Sequence, residues 1–430
     1  MAQTTEAACL LQSGAMYPAR VGLLDGSSEV LLGVKSGGFS LYRGDEPIYH
    51  FDLEGRWQRA FLDGVHYLKG LDTTTRAILR GREGSGMVLR RRILGPSEAQ
   101  ALDESIRRDI GSLIDRIDSG KVTFLSPPAK AREIGPSELR EYLECVSGWD
   151  PRAWEAHRAR YEATYDPWPF LPPDCPNPIV LQATTGRDFG RASAKEFRVR
   201  SVREFEEHLI EVRAILGRRE SQCRDLVLAG SDVLLQPFDQ VFGYLEEIGS
   251  RFSEYLGPDR PGAHARNSRA NEIHALLDDF PTSLPDPEGW RRWKGGRLGR
   301  VTLAIESGDP TIRRVFGKFW KDESLHATLA NIKGAGIGVG LVVLLGAGGR
   351  SGAEAHLGMT SDLIRSLPMD ETDLVWLVDA RILGDSSVIG EPLSDDETAG
   401  QILGLKQRIA GGQTSKGPRL VPYNPEKQWT

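Results

Sequence analysis

The residues able to act as soft ligands or nucleophiles are few and dispersed. Cysteine occurs at Cys9, Cys145, Cys175 and Cys223, and no two share a short motif. That spacing excludes a local zinc knuckle and any recognisable iron–sulfur run. The eight histidines form neither His-x3-His nor His-Glu-x2-His. Metal chemistry therefore has no local support, and no metal ligand is expected. Carboxylates are more informative. Glu306 and Ser307 directly follow the apolar run RVTLAI (300–305), and Asp232 closes Gly230-Ser231-Asp232 after DLVLA (225–229). For Glu306, packing alone explains a carboxylate straight after an apolar strand less readily than a ligand that donates hydrogen bonds does. Asp309 precedes Pro310 and reads as a helix N-cap. Asp278 and Asp279 read either as a general-base pair or as solvated loop acids.

Glycines supply the other chemical signal. Gly346-Ala347-Gly348-Gly349 follows a β-branched apolar run, where backbone amides can approach a ligand closely. It is not a dinucleotide fingerprint, because residue 351 is serine and Gly352 falls one place late. It also lacks the Gly-Lys-Ser/Thr of a phosphate loop. Gly346 thus lines a ligand edge or forms a plain turn. His326 and His356 lie on expected helices and read as surface or packed residues.

These residues need elements to hold them. Val21 to about Leu41 reads as two or three strands broken by Gly/Ser turns. Pro96–Asp118 reads as a helix, with Leu102, Ile106, Ile110, Leu113 and Ile117 spaced by three and four, Ser97 as N-cap and Gly120 as stop. Residues 1–120 are expected to be a small α+β domain. Residues 121–176 are expected to be a connector with helices near Pro136–Cys145 and Pro151–Thr164. At its end Pro167, Pro169, Pro172, Pro173, Pro176 and Pro178 forbid helix and hold the chain extended.

From residue 177 to 383, strands and helices alternate. Strands are expected at 179–181, 225–229, 300–305, 338–345 and 373–378. Helices are expected at 202–216, 238–256, 323–335 and 353–367. Continuous apolar strands alternating with helices imply a parallel sheet covered by helices, with polar and glycine clusters at the strand ends where sites sit. Residues 384–430 are expected to hold one helix, 398–410, and a loose polar tail.

In this half the chain resembles the radical S-adenosylmethionine (AdoMet) superfamily. The resemblance is carried by LPPD (171–174), LAGSDVLLQP (228–237), LLDDFPTS (276–283), RVTLAIESGDPTIRRVFGK (300–318) and IKGAGIGVGLVVLLGAGG (332–349). It implies an α/β fold, a partial (β/α)6 radical-SAM-type barrel that holds AdoMet across the carboxyl ends of its strands. By that resemblance Gly230, Ser231 and Asp232 would meet the AdoMet amino group, Glu306 and Ser307 its ribose and carboxylate end, and Gly346 its adenine side. A β–α turn explains 230–232 equally well.

The motif that defines the family's chemistry is missing. Its three cysteines follow the first strand, spaced Cys-x3-Cys-x2-Cys. Here that loop reads QATTGRDFGRASAKEFRVRS (182–201). The three positions are Arg187, Arg191 and Ala194, or, with a longer first gap, Arg187, Ala192 and Lys195. Neither register holds a sulfur, and a [4Fe–4S] cluster needs thiolate or comparable ligands, which arginine cannot be. The cluster is therefore expected to be absent. The loop instead carries Arg187, Arg191, Lys195, Arg198 and Arg200 against Asp188 and Glu196. It is expected either to face water or to pair with Asp232, Glu306 and Asp309, since unpaired buried cations are costly.

The reading is a non-radical pseudoenzyme that still binds AdoMet or a related small molecule. The alternatives are an active radical enzyme with an altered loop and a non-radical AdoMet-binding transferase. Composition narrows the remaining classes. With 430 residues the chain has room for two or three domains. A formal charge of −6 lacks the cationic field of a duplex binder. The longest apolar run, Ile337 to Gly348, is too short to span a bilayer. The first residues lack a basic start and an apolar core, so no signal peptide is expected. Sparse cysteines suit a reducing cytoplasm.

Overall fold

The computed structural model describes residues 18–35, 37–83, 86–125, 131–166, 175, 178–188, 191–192, 196–223, 225–230, 232–256, 272–278, 284–383, 388–410 and 417–423. The chain divides into two compact units. One comprises residues 1–165, 212–223 and 429–430; the other comprises 166–211 and 224–428.

The first unit is a sheet whose strands follow chain order: β1 (Ala19–Asp25), β2 (Ser28–Lys35), β3 (Gly38–Arg43), β4 (Ile48–Asp52), β5 (Trp57–Leu62), β6 (Val65–Lys69), β7 (Thr75–Glu83) and β8 (Gly86–Ile93). Each is antiparallel to the next, and β9 (Val122–Leu125) and β10 (Arg132–Glu133) pair with the free side of β1. Alternation of side chains puts Val21, Leu23, Leu32, Phe39, Leu41 and Phe51 in one core. Helix α1 (Pro96–Asp118) turns Leu102, Ile106, Ile110 and Leu113 into that core. Helices α2 (Pro136–Ser147) and α3 (Pro151–Thr164) add Leu139, Leu143, Val146 and Trp154. All three helices open on proline, whose missing N–H costs nothing in a first turn. The N-cap of α1 is Gly95 rather than Ser97, because Pro96 already takes the first helical position.

The second unit holds a seven-stranded sheet: β11 (Pro178–Gln182), β16 (Asp225–Ala229), β17 (Ile273–Leu277), β18 (Leu298–Glu306), β19 (Gly338–Leu345), β20 (Leu374–Asp379) and β21 (Arg419–Pro422). Every neighbouring pair is parallel. Between β11 and β16 lie four two-residue strands: β12 (Thr184–Thr185) with β15 (Arg198–Val199), and β13 (Arg187–Asp188) with β14 (Arg191–Ala192). The crossovers carry α4 (Val202–Leu216), α5 (Phe238–Arg251), α6 (Pro287–Gly295), α7 (Pro310–Val315), α8 (Asp322–Gly334), α9 (Gly349–Ser366) and α10 (Asp395–Ala410). This is the mixed α/β architecture expected from the alternating pattern.

All nine residues of β18 and all eight of β19 are buried, which explains why these strands read as unbroken apolar runs. Register puts Leu276, Ala304, Val342 and Trp376 on one face, where they form a core with Leu344 and Val378. Two strands lie outside the expected set. Strand β17 begins three residues ahead of LLDDFPTS and ends before Asp278. Strand β21 occupies part of the tail read as loose; its apolar signal is only Leu420-Val421, too short for a periodicity argument.

Candidate functional site

Because β16 to β19 are adjacent and parallel, the residues after them share one rim of the sheet. Gly230 follows β16, Asp278 follows β17, Glu306 ends β18 and Gly346 follows β19. Three of these four sites are thus sequence-predicted ligand positions brought to one edge by topology alone.

The side chains there make two separate polar groups. In the first, Lys318 donates to Asp278 Oδ1 at 2.6 Å and to the Asp278 carbonyl at 2.5 Å, and its Nζ lies 3.8 Å from Glu306 Oε1. All three residues are buried. A register shift between Ala304 and Glu306 breaks the pleat, and Glu306 takes φ +57°. That left-handed backbone costs about 1–2 kcal/mol outside glycine. Burial pushes the Glu306 carboxyl up to about 7, with Lys318 opposing the shift and Asp278 adding to it. Lys318 stands at the end of the segment 300–318, where no spacing rule marks it. Its role depends on a loop that joins α7 to α8 and returns to the end of β17.

In the second group, Ser307 Oγ lies 2.7 Å from His356 Nδ1 and accepts from the Asp309 N–H at 2.9 Å. Thr360 Oγ1 accepts from the Gly308 N–H at 2.9 Å. Burial holds His356 down at about 4, so it is neutral at physiological pH and fits a packing role. Ser307 is fully buried, and its hydroxyl serves to tie the end of β18 to α9. Asp309 caps α7 by accepting from the Thr311 N–H at 2.7 Å, as its place before Pro310 implies. The Gly346 N–H is taken by Gln401 Oε1 at 2.9 Å, so this amide bonds to α10.

Asp232 is 8% exposed and starts a short 3-10 turn over Val233–Leu235; its carbonyl accepts from Gln236 Nε2 at 2.9 Å. Gly230 has φ +128°, and a Cβ there would meet Thr184 Oγ1 at 1.9 Å. Ser231 and Asp279 lie outside the described residues, as does LPPD (171–174).

The loop expected to have lost its cysteines leaves β12, runs through the β13–β14 hairpin and returns in β15. Its base is pinned: Asp166 Oδ2 accepts from the Gly186 N–H at 2.7 Å, and Arg200 donates to the Gln182 carbonyl at 2.7 Å. Arg198 pairs with Glu204. The expected pairing of this loop with Glu306 and Asp309 is not made by Arg198 or Arg200. Those two acids instead face Lys318 and the first turn of α7. The side chains of Arg187, Arg191 and Ala192, and all of Ala194 and Lys195, lie outside the described residues. Within the first unit, a cavity of about 290 Å³ is lined by Glu54, Arg56, Trp149, His157 and Arg160 among others; sequence patterning gave no sign of it.

The upward shift of the Glu306 carboxyl has a consequence for stability. The folded carboxyl keeps its proton up to about pH 7, whereas the unfolded chain releases it near 4.5. The folded state therefore binds more protons in that window, and stability falls as pH rises from about 4.5 to about 7. Glu306→Gln is expected to flatten that slope and to gain on the order of 2–3 kcal/mol over the wild type at pH 8. Chemical denaturation at pH 5 and pH 8 reads the difference; identical slopes for the two proteins would remove the assignment.

No family model matches the sequence, and no curated protein matches it. Solved structures do match. A radical S-adenosylmethionine methyltransferase, TsrM from Kitasatospora setae, aligns over 47% of this chain and 35% of its own, at 14% identity and TM-score 0.33. The cobalamin-dependent S-adenosylmethionine radical enzyme OxsB aligns over 55% of this chain and 31% of its own, at 12% identity and TM-score 0.32. The FeFe-hydrogenase maturase HydG from Carboxydothermus hydrogenoformans aligns over 76% of this chain and 68% of its own, at 16% identity and TM-score 0.36. The chain thus spans about a third of the length of the first two.

Proposed function

We propose that the second unit is a radical-AdoMet-type barrel that binds AdoMet or a related ligand at the carboxyl rim of its parallel sheet and does not cleave it reductively. Strands joined in chain order by helices send every right-handed crossover to the same face, and a sheet wound that way curls into a barrel. The observation that carries the reading is the loop 182–201, which leaves the first strand of this sheet and contains no cysteine. A [4Fe–4S] cluster does not fit those residues. Cys175 precedes β11, at the amino end of that strand rather than at this rim, and Cys223 belongs to the first unit. No radical step is assigned to the chain.

Of the expected ligand contacts, the leading roles fall to Asp232 and Gly230. Asp232 would accept from the ligand ammonium, and the bare Gly230 backbone would let it approach. Glu306, protonated or paired with Lys318, would donate to or accept from a ribose hydroxyl. Ser307 and the Gly346 amide serve the fold and contribute through position alone. Two measurements test the proposal. Anaerobic reconstitution with iron and sulfide should leave no absorbance near 400 nm and no cluster signal in electron paramagnetic resonance. Calorimetry should detect AdoMet binding that weakens in Asp232→Ala and Glu306→Ala by about 1–3 kcal/mol, the cost of a lost hydrogen bond to a charged group. Equal affinity in the wild type and both variants would reject the site, and a reconstituted cluster would reject the non-radical reading.

A further inference from the structure

We infer that Cys175, Asp225 and His274 form a divalent-metal site of the zinc class at the amino rim of the same parallel sheet, the opposite end of the strands from the proposed ligand site. Cys175 precedes β11, Asp225 is the first residue of β16 and His274 is the second residue of β17. Register explains why the last two meet. His274 lies opposite Val227, and Asp225 stands two residues before Val227, so both side chains leave the same face.

The Cys175 sulfur lies 3.5 Å from His274 Nδ1 and 3.8 Å from Nε2. One ligand atom from each of the three residues falls within 4.8 Å of the others. A tetrahedral zinc with a Zn–S bond of about 2.3 Å and a Zn–N bond of about 2.1 Å requires an S···N separation of about 3.6 Å. The observed spacing therefore needs almost no adjustment, and the carboxylate needs only to close in.

Two other readings of the trio are weaker. A thiol–imidazole hydrogen bond has the same length but gives no reason for a carboxylate near both partners. A thiolate–imidazole–carboxylate relay needs a substrate to reach sulfur, and Cys175 is 1% exposed. A metal accounts for all three donors. Thiolate, imidazole and carboxylate together suit zinc better than calcium or magnesium, which take oxygen ligands. Three protein ligands leave a fourth position for water, and Asp225, the least buried of the three, marks the side on which it would stand.

The test uses the full chain stripped with a chelator. Loading with zinc chloride, gel filtration and elemental analysis should return one zinc per chain. Loading with cobalt chloride should give a near-ultraviolet sulfur-to-cobalt band and the intense visible bands of a tetrahedral ion. Cys175→Ser should lose the sulfur band. Asp225→Asn should keep the fold and weaken zinc binding by at least about tenfold, the lower end of what an outer-shell change costs. The wild-type cobalt spectrum reads the site even if a variant fails to fold. Wild-type protein that retains no zinc, or cobalt that shows only weak octahedral bands without the sulfur transition, overturns the inference. Neither result depends on AdoMet binding or iron–sulfide reconstitution, which report on the other rim.

Discussion

Lys318→Met is expected to lower stability at pH 7 by about 3–5 kcal/mol, the cost of leaving buried charges without their partner. The Lys318 ammonium lies 2.6 Å from Asp278 Oδ1 and 3.8 Å from Glu306 Oε1, and the side chain is 3% exposed. Removing it leaves two carboxyl groups close together in the interior. The loss should be smaller at pH 5 than at pH 8. Glu306 already holds its proton to about 7 with the cation present, and taking away an opposing charge pushes it further up. Denaturation midpoints of the single variant and of Lys318→Met with Asp278→Asn would read the effect; the second change should recover part of the stability. A loss below about 1 kcal/mol in the single variant, as for an exposed ion pair, would mean that water reaches this group.

This cluster also shows where sequence reading stops. The strands β16, β18, β19 and β20 were legible because each is a short, largely apolar run, buried throughout in β18 and β19 and at all but one end residue in β16 and β20, and burial on both faces leaves that mark on composition. Asp309 was legible because capping is local: its carboxylate reaches the Thr311 N–H within its own turn. Lys318 was not, since its partners sit after a different strand and only the parallel register brings them into reach. Ser307 illustrates the converse. Its place after an apolar strand suggested a ligand contact, but the hydroxyl faces His356 on α9, a neighbour that no spacing rule announces. Cys175, Asp225 and His274 are alike in this respect. Motif reading looks for ligands a few residues apart, whereas these three are assembled by strand starts. The first unit's sheet was legible only as strands near Val21–Leu41; β5 and β6 mix buried with half-buried residues without strict alternation, a weaker signal.

Gly230→Ala is expected to cost more than about 3 kcal/mol, and the way that cost divides separates a fold requirement from a ligand requirement. At φ +128° the residue occupies backbone space that is nearly restricted to glycine, which by itself costs about 1–3 kcal/mol. The added Cβ would also meet Thr184 Oγ1 at 1.9 Å, with Thr184 N at 3.1 Å. Thr184→Ala removes the first contact but neither the second nor the strain. The double variant should therefore recover only part of the loss. Gly26→Ala is the control: φ is +66° and the nearest atom is 4.0 Å away, so only the left-handed penalty of about 1–2 kcal/mol applies. If Gly230→Ala loses no more than Gly26→Ala, the close approach of β12 to the end of β16 is not maintained in solution. If it loses as much as expected without any ligand present, the fold alone accounts for this glycine. The resemblance at residues 228–237 then rests on Asp232, whose carboxylate the fold does not require for a cap and whose replacement calorimetry can read directly.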